Sequence, residues 1–223
     1  TGNVAIGTST MDAVNNDGSD SNVAVGNYSM RGGTGLLDRN IAIGHQAMDG
    51  TGTVAGQQNI FIGDSAGGGT WTTAASNSNV AIGATAMADA LNGALGNTAV
   101  GHDTLKALTS GDYNVAIGHT TGDSITTGIH NTLVGTDAGD AMTGTHYTVL
   151  IGSGAGAAIN STDSNSTIAI GYQAAYGLTA STGNIFIGYQ AGYNSAGVHR
   201  NNVLIGTYAG YNIGAGPDYK GEA

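Results

Sequence analysis

Three histidines each stand directly after a glycine, His45, His102 and His119, and two of them, His102 and His119, are 17 residues apart. On consecutive coils of a repeat such imidazoles could share a metal ion or titrate together, although a surface role fits them as well. His130, His146 and His199 have no partner at a useful spacing. The stretch Asn15-Asn16-Asp17-Gly18-Ser19-Asp20 offers hard oxygen ligands in Asp17 and Asp20, the donors calcium prefers. It has neither the order of an EF-hand loop nor the Gly-Gly-x-Gly-x-Asp repeat of calcium-binding rolls. Tyr172 and Tyr189, and Tyr176 and Tyr193, fall at equal offsets, so they predict aromatic ladders that either bind glycans or pack on neighbouring loops. Asn27, Asn160 and Asn165 begin glycosylation sequons, which a chain this rich in Ser and Asn produces by chance. No Ser-His-Asp order, nucleotide loop or paired-carboxylate spacing stands out. No catalytic, cofactor-binding or metal residue is therefore assigned, and the expectation is a protein that is not an enzyme.

What must position these residues is a repeat. The pattern Asn-x-apolar-Ile/Val-Gly-x-x-small occurs twelve times, with its glycine at 7, 26, 44, 63, 83, 101, 118, 135, 152, 171, 188 and 206. The spacing is 17–20 residues, and a β-branched residue always precedes the glycine, from Ile6 and Val25 to Ile187 and Ile205. Four residues before the glycine stands Asn, except at Thr148 and Thr167, and three after it stands a small residue such as Thr10, Ser29, Ala47 or Ala209. A period near 18 is too short for a helix pair or a propeller blade, and its Val/Ile core alternates with period two. Each repeat therefore reads as one coil of an all-β parallel β-solenoid. At about 4.8 Å per coil, twelve coils predict a rod on the order of 55 Å.

The glycine column predicts a turn that needs positive φ or close backbone approach, and the asparagine column predicts stacked amides that satisfy backbone groups. Met11, Met30, Met48 and Met87 share one position and read as core filler. The Ile/Val column reads as the buried ladder. The position two before the glycine points the other way and is apolar throughout: Ala5, Ala24, Ala42, Phe61, Ala81, Ala99, Ala116, Leu133, Leu150, Ala169, Phe186, Leu204. A strand apolar on both faces must be covered on both. The expectation is that this Ala-rich column faces outward and packs against sister chains, best as a trimer about the rod axis.

Composition agrees. The 223 residues include 40 Gly, one Pro and no Cys, with 9% charged and 6% aromatic residues, which disfavours helical bundles and Rossmann enzymes. A formal charge of −10 leaves no basic stripe for nucleic acid. The absence of Cys leaves the redox compartment open. No signal peptide or membrane-inserting segment is evident. Domain 1–211 is assigned to the solenoid, and 212–223, with Pro217-Asp218-Tyr219-Lys220, to a short cap or linker. The opening in mid-pattern suggests a processed chain or an excerpt, and the uncapped first coil suggests a preceding domain or end-to-end fibre assembly.

Asn-Val-Ala-Ile-Gly at 3–7, 79–83 and 114–118 resembles the head repeats of YadA-like trimeric autotransporter adhesins, and the units 184–193 and 202–211 resemble repeats of bacterial surface fibres and phage tail fibres. The resemblance, over about residues 3–211, implies left-handed parallel β-rolls, three chains to a head, and an extracellular or cell-surface fibre that displays loops to a host surface or glycan receptor. A virion tail fibre or spike shaft is the alternative. The period exceeds the adhesins' shorter coil, and neither a coiled-coil stalk nor a membrane anchor is seen. Ile-Gly-x-x-Ala also resembles one hexapeptide of left-handed β-helix acyltransferases, but those need three such corners per coil at a steady spacing. An ice-binding Thr ladder starts at Thr8 and Thr10 and is lost at Asn27 and Ser29.

Overall fold

One repeat makes little regular structure: a rung of three residues, a left-handed turn and a loop. The computed structural model describes residues 2–12, 14, 18–160, 165–195 and 199–212. The chain divides into two compact units, Thr1–Tyr113 and Asn114–Ala223. Strands of the first unit are β1 (Val4–Ile6), β2 (Val23–Val25), β3 (Leu37–Asp38), β4 (Ile41–Ile43), β5 (Gly56–Gln57), β6 (Ile60–Ile62), β7 (Ser76–Asn77), β8 (Val80–Ile82) and β9 (Thr98–Val100). Those of the second are β10 (Val115–Ile117), β11 (Thr132–Val134), β12 (Val149–Ile151), β13 (Ile168–Ile170), β14 (Ser181–Thr182), β15 (Ile185–Ile187), β16 (His199–Arg200) and β17 (Val203–Ile205).

In the first unit the rungs stack in parallel in the order β1-β2-β4-β6-β8-β9, with β3-β5-β7 forming a second, shorter parallel sheet. The second unit stacks β10-β11-β12-β13-β15-β17, with β14 beside β16. Register follows the repeat: Ala42 pairs with Phe61 and Ile43 with Ile62. Among the described residues there is no helix. The all-β parallel solenoid expected from the sequence is thus the observed fold.

The two faces of the rung are the reverse of the expectation. Ala24, Ala42, Phe61, Ala81, Ala99, Ala116, Leu133, Leu150 and Ala169, expected to face outward, are 0% exposed and fill the coil. The flanking β-branched residues, expected inside, face out: Ile43 is 37%, Ile82 39% and Ile117 42% exposed. The reason is the thinness of the coil. The residue two before the glycine looks across at the fourth residue after it, and the two share one small volume. Ala42, Ala81 and Ala99 face buried Met48, Met87 and Leu105, whereas Phe61, Leu133, Leu150 and Phe186 are paired with Gly67, Gly139, Gly156 and Gly192. A Cβ on Gly67 would sit 2.7 Å from the Phe61 ring, and one on Gly192 would collide with Phe186. Ala116 with Gly122 and Ala169 with Ala175 are accompanied by buried Ile125 and Leu178 three residues further on. At native packing density the two facing positions compete for that volume, which in the coils of Leu133 and Leu150 also takes Met142 and Ile159. A similar exchange seats Trp71, whose indole lies where a Cβ on Gly56 would be and meets Phe61 edge-on at 6.2 Å.

Both readings of the glycine column hold at once. Gly63 has φ +138°, a region open essentially to Gly, and a Cβ there would run into the Gly83 carbonyl of the next coil. The turn that follows is left-handed even without glycine: Tyr28, Gln46 and Ser65 (φ 54–58°) and Met30, Met48 and Met87 (φ 50–53°) adopt positive φ. Each such residue costs about 1–2 kcal/mol in isolation. The conformation turns successive N–H groups alternately along the stacking direction. Gln46 N donates back to Asn27 O at 3.0 Å, and Met48 N donates forward to Ala66 O at 2.9 Å. The turns are therefore hydrogen-bonded from coil to coil like the strands, which satisfies buried backbone that a lone turn would orphan.

The asparagines stack as expected. Asn59 Oδ1 accepts from Asn79 N (3.0 Å) and Asn79 Nδ2 (3.2 Å), while Asn59 Nδ2 donates to Asn40 Oδ1 (3.1 Å) and Ser76 O (2.9 Å). Every valence of the buried amide is used. Thr148 fits the same column because its Oγ1 donates to Asn131 Oδ1 at 2.8 Å and its N–H donates at 3.1 Å.

Candidate functional site

Among the described residues no strand or helix covers the outward side of the rungs. In the first unit it consists of Val4, Ile6, Val23, Val25 and their equivalents up to Val100, eleven of twelve being Val or Ile, with Thr98 the exception. In the second unit Thr132 is the single exception among twelve. Side chains on a flat parallel sheet shield one another only along the stack, so central rungs stay partly exposed: Ile82 at 39% and Ile151 at 37%. The face carries no charge.

The turn side is varied, and its columns change character along the chain. The fifth residue after the glycine is Arg31, then Asp49, in neighbouring coils, and Arg31 forks onto Asp49 at 3.3 and 3.2 Å while lying 4.5 Å over the Tyr28 ring. Beside this pair is an open cleft of about 380 Å³ lined by Arg31, Gly33, Thr34, Gly52 and Thr70. The guanidinium fork is occupied by Asp49, which leaves the cleft without a free cation for an anionic ligand. In the second unit the same column holds Asp123 and Asp140. Partial burial, a hydrogen bond that the neutral Asp140 carboxyl donates to Asp123, and the charges of Asp123 and Asp137 raise the Asp140 carboxyl to about 6.

In the last three coils the column is aromatic. Tyr176 stacks on Tyr193 at 5.2 Å and Tyr193 on Tyr211 at 5.1 Å, with ring planes within 9°. A second row starts directly after the glycine, where Tyr172 stacks on Tyr189 at 5.3 Å, and Tyr208 meets Tyr189 and Tyr211 edge-on at 5.4 and 5.5 Å. Between the rows Gln190 Nε2 donates to Gln173 Oε1 at 2.7 Å, and beside them Asn194 Nδ2 donates to Asn212 Oδ1 at 3.0 Å. The tyrosine ladders expected from the spacing exist, and Tyr172, Tyr189 and Tyr208 are 45–53% exposed. The glutamines and asparagines were not singled out in the sequence, although they share the same offsets.

The described histidines each lie against near neighbours. His45 Nδ1 lies 2.8 Å from Asp64 Oδ1 and His102 Nδ1 lies 2.9 Å from Asp103 Oδ2, all near the surface. His119 Nδ1 is 3.1 Å from Thr120 Oγ1, whose proton is donated to Asp137. The hydroxyl therefore accepts from His119, the reverse of what a nucleophile and its general base require. His130 stacks on Tyr147 at 5.4 Å, and His146 Nδ1 accepts from Ile129 N at 3.0 Å. Asp20 Oδ1 caps Ser21 N at 2.7 Å, while Asp17 and Pro217–Lys220 lie outside the described residues. Among the described residues no three His, Asp or Glu side chains converge as metal ligands. No helix there is long and apolar enough to cross a membrane.

Compared with protein-family models, curated proteins and solved structures, the chain matches none.

Proposed function

We propose that this chain is a structural, self-assembling element of an extracellular fibre, in which the Val/Ile face of each coil packs against the same face of sister chains. The observation that carries the reading is that face: an uncharged surface, apolar at eleven of twelve positions in each unit. A Val or Ile side chain about one-third exposed retains roughly 20–40 Å² of apolar surface, so twelve retain roughly 250–500 Å² per unit. Each unit's face is thus comparable with the largest apolar patch of a typical monomer, roughly 300–600 Å², and supplies a substantial part of the ~800 Å² per partner of a standard interface.

The occupant is a second copy of this chain because of the period. Side chains rise from the face in two columns that repeat once per coil, every 4.7–4.9 Å or so. A surface of another period would fall out of step within a few coils, whereas an identical coil keeps step along its whole length. A rotation axis parallel to the stacking direction brings equivalent rungs together, and three narrow faces close about such an axis into a trimer. The function that follows is mechanical: a stiff support holding loops and turns outward in several copies, so that weak contacts to a host surface add.

Sedimentation of the purified chain at micromolar concentration tests the proposal. Three times the chain mass is expected, persisting in high salt because the face carries no charge. A monomer that stays monomeric at tens of micromolar would overturn it.

A further inference from the structure

We propose that the tyrosine and amide surface of the last three coils binds a neutral polysaccharide chain lying along the stacking direction. This goes beyond the assembly role and uses a different side of the coil. Other turns carry charge, as at Arg31 and Asp49, Asp103 and Lys106, and Asp123 and Asp140, although the turn at 152–158 has none. From Gly171 onward the corresponding segments read Gly-Tyr-Gln-Ala-Ala-Tyr-Gly, Gly-Tyr-Gln-Ala-Gly-Tyr-Asn and Gly-Thr-Tyr-Ala-Gly-Tyr-Asn, with no acid or base in a chain of net charge −10. What replaces charge is an aromatic surface and an amide surface side by side, the pair a sugar needs: C–H groups against ring faces and edges, hydroxyls against neutral donors and acceptors.

The arrangement is periodic as well. Stacked rings 5.1–5.3 Å apart repeat at the length of one pyranose and its linkage in an extended β-linked chain. Successive sugars would therefore meet equivalent rings and equivalent Gln173 or Gln190 amides. The two rows are bridged by the edge-on contacts of Tyr208 with Tyr189 and Tyr211, so the surface is continuous across three coils. The side-chain amides already bond to one another, which fixes their orientation and leaves remaining valences for hydroxyls. A nucleic acid is disfavoured by the acidic chain, and an acidic glycan by the missing cation.

Affinity electrophoresis through gels containing hydroxyethyl cellulose, dextran or alginate tests this on the whole chain. Retardation by hydroxyethyl cellulose, unaffected by salt and weaker in dextran and alginate, is expected. The variant Tyr172→Ala/Tyr189→Ala/Tyr208→Ala should bind on the order of tenfold more weakly, while the matching Phe variant keeps most of the binding because it keeps the rings. Circular dichroism melting shows whether each variant remains folded, and the oligomer mass shows whether assembly is intact, so loss of this site is separable from failure of the assembly. Migration of the native chain unchanged by hydroxyethyl cellulose, equal retardation of the folded Ala variant, or stronger retardation by alginate would each overturn the proposal.

Discussion

Exchanging the large side chain of one coil from one side to the other isolates the packing rule that inverts the faces. Phe61 and Gly67 lie between coils that carry Ala42 with Met48 and Ala81 with Met87. Phe61→Ala removes a fully buried ring and should cost about 3–5 kcal/mol. Gly67→Met places its Cβ 2.7 Å from the ring and should cost about 1–3 kcal/mol or more by overpacking. Additivity therefore predicts roughly 4–8 kcal/mol for the double variant. Instead the double variant rebuilds the arrangement of both neighbours. Its remaining costs are the left-handed Met, about 1–2 kcal/mol, and the lost edge contact to Trp71, about 0.5–1.5 kcal/mol. A net cost of about 1.5–3.5 kcal/mol is expected, and thus a favourable coupling of a few kcal/mol. Trp71, the single tryptophan, reports locally by fluorescence during guanidinium unfolding, and far-UV circular dichroism reports on the whole. Costs that simply add would refute the shared-volume argument, because the two positions would then not compete for one space.

Three further outcomes follow from the same structure. Asn59→Ala should lower stability by about 3–5 kcal/mol because it leaves buried groups of Asn40, Ser76 and Asn79 unpaired, whereas Asn59→Thr should cost about 1–2 kcal/mol, as Thr148 fits the same column; urea midpoints distinguish them. Gly63→Ala combines forbidden φ with a clash against the Gly83 carbonyl, so a loss of at least ~3 kcal/mol is expected in thermal melts, and a near-neutral result would contradict the role of the glycine column. The carboxyl of Asp140 is raised from an ordinary 3.8 to about 6, so its neutral form is favoured in the folded chain, and the stability it confers at pH 4 is lost as pH rises through about 6. Asp140→Asn should therefore stabilise by about 1 kcal/mol at pH 7, allowing for solvent screening, and by nothing at pH 4; melting temperatures against pH check the sign.

Much of the fold is legible in the sequence because a solenoid writes each structural requirement twelve times. The glycine and asparagine columns are each tied to one backbone need, so their spacing gave the coil, the turn and the amide stack together. Which face is inside was not legible from bulk. Ile and Val look like core and Ala like a close-contact surface, but the coil is too thin for a β-branched residue opposite Met48 or Met87. The missing signal lies in pairs: except at Ala116 with Gly122 and Ala169 with Ala175, Ala goes with Met or Leu, and Phe or Leu goes with Gly, six residues apart. The left-handed Tyr28, Gln46 and Met48 gave no sign either, since they hold positive φ through hydrogen bonds to other coils. The tyrosine rows were visible as offsets, and the Gln173 and Gln190 amides between them stood at equally regular offsets. His102 and His119 stood out only by their place after a glycine; within its own unit His102 lies against Asp103 and His119 against Thr120.

The absence of cysteine permits a direct test of assembly through the Val/Ile face. A single Ile82→Cys substitution places a thiol on the outward side of a central rung, and Asp64→Cys places one on the exposed turn. Under mild oxidation at low protein concentration, the Ile82 variant should form covalent dimers within the assembly rapidly and the Asp64 variant should not. Equal or absent cross-linking at Ile82 would show that equivalent rungs of sister chains do not meet.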